Sequence, residues 1–161
     1  MTIRRDDVTT LSVELLGRFS VRSLATGGEV RLVGRHAQAL FALLALTCRP
    51  RTREAIATDL WPDSTVSVTA PLRQALYQVR GALAAAAIDP DGILESDSET
   101  LGMRPEAIGL LDTAAFEHCA DDPACAAEQA ISLYTGDLAE GLGHECFAAE
   151  RERLADRYED A

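Results

Sequence analysis

The chain has 161 residues, 47% hydrophobic and 25% charged, with a formal net charge of −11, a globular rather than a disordered composition. All 15 basic residues are arginine, which disfavours a P-loop nucleotidase, whose Walker A loop needs its lysine, and excludes Schiff-base chemistry on lysine. The acidity is uneven: residues 1–88 hold 11 Arg against 7 acids, a net of +4, and residues 89–161 hold 4 Arg against 19 acids, a net of −15. A mildly basic half beside an acidic one points to nucleic-acid binding in the basic part, the alternative being a merely solvated acidic face.

The opening "MTIRRDD" leads into no secretory apolar region, and the longest apolar run, "ALFALLAL", is too short to span a bilayer. We therefore expect a cytoplasmic protein with no membrane partner and four cysteines that remain thiols. In "LSVELLGRFSVRS" the apolar residues Leu11, Val13, Leu15, Phe19 and Val21 alternate, and "EVRLV" alternates again at Val30 and Leu32. Period two with a Gly-Gly turn between predicts a small antiparallel sheet over residues 11–33. The period then changes. Ala37, Leu40, Phe41 and Leu44 follow helical spacing, predicting a helix that ends near Cys48. Thr52 is a good N-cap for "REAIATDLW", which Pro62 stops.

Residues 69–83, "TAPLRQALYQVRGAL", form the third predicted helix, with Ser67 or Thr69 as its cap and Pro71 tolerated in the first turn. Leu72, Leu76, Val79 and Leu83 make its core stripe, leaving Arg73, Gln74, Tyr77 and Arg80 elsewhere on the surface. Arg and Gln are the side chains that read base edges and grip phosphates. "ILESDSETLGM" reads as a hairpin about residues 97–99. Sheet, three helices and hairpin in that order predict a winged helix-turn-helix over residues 11–104, whose third helix enters the major groove. Residues 105–161 look all-helical, with Asp112 as a cap and a thin core. The last helix is still patterned where the sequence stops, so we expect a longer protein or one that completes its core by oligomerising.

Arg49, Arg51 and Arg53 cluster ahead of the second helix, where Arg51 and Arg53 are candidates for backbone phosphate; a solvated basic loop is the competing reading. His118, Cys119, Cys125, His144 and Cys146 form the one constellation with metal-ligand or redox chemistry, but their spacing matches no standard finger. "DPDGILESDSET" has its Gly at the fourth position and no calcium loop. No nucleophile elbow, zincin motif or dinucleotide loop is present. The expectation is a protein that is no enzyme and takes no cofactor or metal. Three readings stay open: DNA binding, a protein-interaction module that kept the fold and lost DNA binding, and a metal or redox sensor.

On "LLGRFSVR", "RHAQALFALLAL", "REAIATDLWPD", "LRQALYQVRGAL", "LDTAAFE", "LYTGDLAEGL" and "ERERLADRYEDA", in this order over residues 11–161, the chain resembles the Streptomyces antibiotic regulatory protein family of bacterial transcription activators. The resemblance implies an OmpR-like winged helix at 11–104 and, at 105–161, the opening part of a bacterial transcriptional activation domain of tetratricopeptide-like helices. It implies an activator that binds direct repeats in double-stranded DNA as two protomers side by side, a homodimer, and recruits RNA polymerase. Arg73, Gln74, Tyr77 and Arg80 would face DNA, Trp61 and Pro62 would close the second helix onto the core, and the loop at residues 63–68 would meet polymerase. Two features depart from the pattern. The wing carries Glu95, Asp97 and Glu99, which repel phosphate, and the third helix is sparse in charge, though counterion release dominates DNA affinity.

Overall fold

A computed structural model describes residues 10–64, 67–142 and 144–160. The chain folds as α+β, two small sheets and seven α-helices among the described residues. β1 (Leu11–Glu14) pairs antiparallel with β2 (Ser20–Ser23), Val13 opposite Val21. Alternation is the cause: Leu11, Val13 and Val21 point inward and are buried, while Arg22 points out.

α1 (Arg35–Thr47) is the central element. Every residue from Ala39 to Ala45 is buried, which the run of Ala, Leu and Phe permits on all sides of one helix. It ends where Cys48 turns into the left-handed region, donating its N–H to the Leu44 carbonyl. After β3 (Arg51–Thr52) comes α2 (Arg53–Leu60), and the Thr52 hydroxyl caps it by accepting the Ala55 N–H at 3.1 Å. α3 (Thr69–Ala85) begins after Val68, with no side-chain cap bond and Pro71 in its first turn. Its stripe of Leu72, Ala75, Leu76, Val79 and Leu83 is buried, and it packs on α1. Thr65 and Val66 of the loop expected to meet polymerase lie outside the described residues.

The short α4 (Pro90–Ile93) leads into β4 (Leu94–Ser96) and β5 (Thr100–Met103), the hairpin that the turn residues predict. β3 adds to the outer edge of β5, giving the order β3-β5-β4. Gly102 allows that approach, because a Cβ there would stand 2.8 Å from the Pro50 backbone.

Beyond residue 104 the expectation of an all-helical segment fails. A 3₁₀ turn at Pro105–Ala107 leads into β6 (Ile108–Leu111), which pairs parallel with β1. The first sheet is therefore mixed, in the order β2-β1-β6. "EVRLV" does not become its third ladder strand. It meets the outer edge of β2 at a single bridge between Arg22 and Glu29, with the Val30 N–H donating to the Val21 carbonyl at 2.8 Å, while β6 takes the other edge of β1. α5 (Asp112–Asp121), α6 (Ala127–Leu133), a 3₁₀ turn at Glu145–Phe147 and α7 (Ala148–Asp160) complete the chain. The thin core expected there is observed: of the α6 stripe only Ala130 is buried, and Ile131 is exposed. α7 is held to α5 by Arg153 on Glu117 and Arg157 on Asp121. Among the described residues no helix is long and apolar enough to cross a membrane.

Asp112 does not cap α5. Its carboxylate instead accepts the Leu15 N–H at 2.8 and 2.9 Å and the Leu16 N–H at 2.8 Å, close to a hundred residues away in sequence. Burial pushes its carboxyl pKa up, against the pull of the N–H donors. The same segment is gripped from the other side. Ala139 donates to the Leu15 carbonyl at 2.8 Å, and Gly17 donates to Asp137 at 3.0 Å. Gly17 sits at φ +85°, where any Cβ would meet Thr135 and the Gly136 backbone within 2.9 Å. Asp112→Ala leaves two backbone donors without partners, and we expect it to cost about 1–3 kcal/mol of stability in urea unfolding; an unchanged midpoint would show that these bonds do not hold the segment.

Candidate nucleic-acid interface

The outer face of α3 carries Arg73, Gln74 and Tyr77 because the opposite face is consumed by the leucine stripe. Tyr77 is 74% exposed, unusual for an aromatic ring of its size. Neither Arg73 nor Gln74 has a hydrogen-bond or ion-pair partner among the described residues. Arg73 shares a groove with Arg53, lined further by Glu54 and Thr58 of α2 and by Ser67 and Thr69 at the start of α3. The structure thus brings Arg73, Gln74, Tyr77 and Arg53 to one side.

The remaining predicted contacts are placed differently. Arg80 pairs with Asp91 at 3.0 Å, tying α3 to α4, and the Asp91 carbonyl also accepts Arg104 Nε at 3.0 Å. Arg51 pairs with Asp59 of α2 at 2.7 Å, both side chains partly covered. Each guanidinium is engaged by a carboxylate of the same fold, Asp59 partly covered and Asp91 largely exposed. Arg53 is shared. Its Nε donates to the Asp97 carbonyl at 3.0 Å and its Nη2 to Ser96 Oγ at 2.8 Å, so it braces the hairpin turn, and three of its five N–H groups remain. Exposed arginines outside the predicted contact set are Arg22 on β2, Arg35 at the start of α1 and Arg49 before β3, none with a side-chain partner among the described residues. Of these, only Arg49 was signalled by the sequence, through its crowding with Arg51 and Arg53.

The acidic hairpin has a structural cause. Asp97 Oδ1 accepts the N–H of Glu99 at 2.8 Å and of Thr100 at 2.7 Å, while Oδ2 accepts the Thr100 hydroxyl at 3.0 Å. The carboxylate substitutes for backbone acceptors in the turn. Glu95 and Glu99 remain exposed on either side of it.

The Cys/His constellation does not assemble. Cys119 and Cys125 form a disulfide, their Cα atoms 5.4 Å apart across the end of α5, which corrects the expectation of four thiols. The chain reverses there through Asp122, whose carbonyl accepts the Cys125 N–H, and this returns Cys125 to the last turn of the helix. His118 is exposed, and His144 turns to His36 instead. The Cys146 thiol is pushed up to about 11, by burial first and then by Asp59. Among the described residues no three of His, Cys, Asp and Glu stand together in a way that could hold a metal ion.

No protein-family model and no curated protein matches this sequence. Among solved structures the chain is similar to Mycobacterium tuberculosis EmbR in complex with a low-affinity phosphopeptide, with a TM-score of 0.67 and 21% sequence identity over 93% of this chain. The match spans 43% of the EmbR chain. At that identity the likeness shows a shared α+β fold.

Three N–H and O–H donors to one carboxylate hold the Asp97 pKa below the usual aspartate value, the Thr100 backbone first. Its unfolded value is the higher of the two, so the stabilisation is complete above the ordinary aspartate pKa and is lost as the pH falls through the lowered folded one. The Thr100 amide resonance should therefore hold its folded shift at pH values where an ordinary aspartate, pKa about 3.9, has already protonated. A transition of that resonance at the ordinary value would show that the turn is not held this way.

Proposed function

We propose that the chain is a DNA-binding transcription regulator of winged-helix type, in which α3 enters the major groove. The observation that carries this reading is the exposed, unpartnered Arg73, Gln74 and Tyr77 on one face of a helix anchored by its other face. A helix so anchored presents side chains at a fixed depth and register, as base readout requires. Arg73 offers a bidentate fork for guanine, Gln74 an amide for adenine, and Tyr77 an apolar ring for a thymine methyl or a sugar. Arg53 and Arg49 supply phosphate contacts. Arg80 and Arg51 act as braces of the fold.

The resemblance to the Streptomyces antibiotic regulatory protein family supports the finer reading: a cytoplasmic activator, without catalytic activity, that binds promoter repeats as paired protomers and recruits RNA polymerase. The hairpin plays the part of the wing. With Glu95 and Glu99 exposed it gains nothing from a phosphate backbone, so affinity rests on few cations and is raised by pairing of protomers.

Binding is measured by fluorescence anisotropy on a duplex selected from a random library, at fixed salt. Arg73→Ala should weaken binding by about 1–3 kcal/mol and relax sequence preference at one position. Arg80→Ala should lower the unfolding midpoint and leave the sequence preference in place. Equal affinity of the Arg73→Ala protein and the parent would remove α3 from the reading surface.

A further inference from the structure

His36, the second residue of α1, and His144, just before the 3₁₀ turn at Glu145–Phe147, face each other with His36 Nδ1 3.3 Å from His144 Nε2. The contact joins the α1–α2 corner to the C-terminal helical segment across 108 residues. Trp61, at the end of α2, lies over His36 with ring centroids 5.1 Å apart, and Phe147 flanks His144 at 6.3 Å. We propose that His36 and His144 form a proton-operated latch, closed while at most one of the two imidazoles is charged and opened, freeing the 3₁₀ turn from the α1–α2 corner, when both are.

The hydrogen-bond directions carry the argument. His144 Nδ1 stands 2.9 Å from the Leu142 carbonyl, which only accepts, so Nδ1 carries the proton. A neutral His144 then presents the bare lone pair of Nε2, and His36 Nδ1–H donates to it. A proton added to the outer nitrogen of His36 preserves this bond. A proton on His144 Nε2 is accommodated only if His36 is neutral and offers its own Nδ1 lone pair. The second charge leaves two N–H groups head to head, with no acceptor between them, and adds like-charge repulsion across 3.3 Å.

The surroundings reinforce that penalty. Burial of His144, then the neighbouring His36 and Arg35 of α1, already disfavour its charged form, against the Leu142 carbonyl. Asp59 of α2 and Arg151 of α7 act on Cys146, two residues on, and both are engaged, Asp59 by Arg51 and Arg151 by the Leu138 carbonyl at 2.9 Å. Glu145, next to His144 in sequence, is exposed, and the charges that act on His144 are His36 and Arg35 and no carboxylate; α7 keeps its own ties to α5 when the turn lets go. The device stands apart from the DNA-binding reading and needs no DNA to operate.

The molecule carries its own reporters. It has three histidines and one tryptophan, and exposed His118 on α5 serves as the reference. Long-range ¹H–¹⁵N spectra of the full chain across pH 5–8 should show His144 as the Nδ1–H tautomer. The pair should titrate in two separate steps. Below the lower step the cross-peaks between the His144 and His36 rings should vanish and Trp61 fluorescence should shift, while hairpin signals from Leu94 to Met103 persist. In His36→Gln, whose amide oxygen accepts from a charged His144, the lower step should disappear and the His144 midpoint should rise toward that of His118. Independent titration of both rings at the His118 value overturns the proposal. So do His144–His36 cross-peaks that survive double protonation, or a hairpin that unfolds in the same step.

Discussion

The Asp112 carboxylate, taking the N–H groups of Leu15 and Leu16, is the constraint on which the rest of the fold turns. It fixes where β1 ends and where α5 begins. Directly before it, β6 lies parallel to β1, and directly after it, α5 carries Phe116 into the core. The loop at residues 135–139 closes the other side of the same segment through Ala139, Gly17 and Thr135. Residues 105–160 are thereby joined to the N-terminal sheet by strand pairing, a half-buried carboxylate and a shared core rather than by a linker. Parallel pairing needs a long crossover, and here the crossover is the whole of α1, α2, α3 and the hairpin. Helices α1, α2 and α3 thus hang from a sheet that β6 completes.

The same economy governs charge. The basic first half holds a net of +4, yet much of its arginine is engaged inside the fold: Arg51 on Asp59, Arg80 on Asp91, Arg53 on the hairpin turn. What is left outward on α3 is one arginine, one glutamine and a tyrosine. That set favours base contact over phosphate attraction, because counterion release scales with the number of cations placed on phosphates. Asp97 fits this picture as a turn former whose charge is largely occupied by N–H and O–H donors.

Elements governed by local periodicity and turn chemistry were legible in the sequence. The stripe Leu72, Leu76, Val79, Leu83 gave α3, Thr52 gave the start of α2, and residues 97–99 gave the hairpin. What depended on distant partners was not legible. "IGLL" has no alternation to mark it as β6, and its pairing is set by β1 a hundred residues earlier. "EVRLV" alternates as a strand should, yet it meets β2 at a single bridge. The outward face of α3 could be read from its stripe, but which arginines remain outward could not. Arg51 and Arg80 each meet an acid eight or eleven residues on, a separation at which fold geometry and not helix spacing decides contact. The Cys119–Cys125 disulfide was hidden for a related reason: the helix end brings two cysteines together that composition alone assigns as thiols.

The central claim is that a sparse but exposed face of α3 reads duplex DNA, with few phosphate contacts behind it. The salt dependence of binding to a selected duplex tests it most directly. Each phosphate contact contributes about −0.9 to the slope of log K against log salt, so the handful of outward arginines predicts a shallow slope, about −2 to −4 per protomer. Sequence preference should persist as salt rises. No binding at low salt, or binding that is steep in salt and indifferent to sequence, would contradict it.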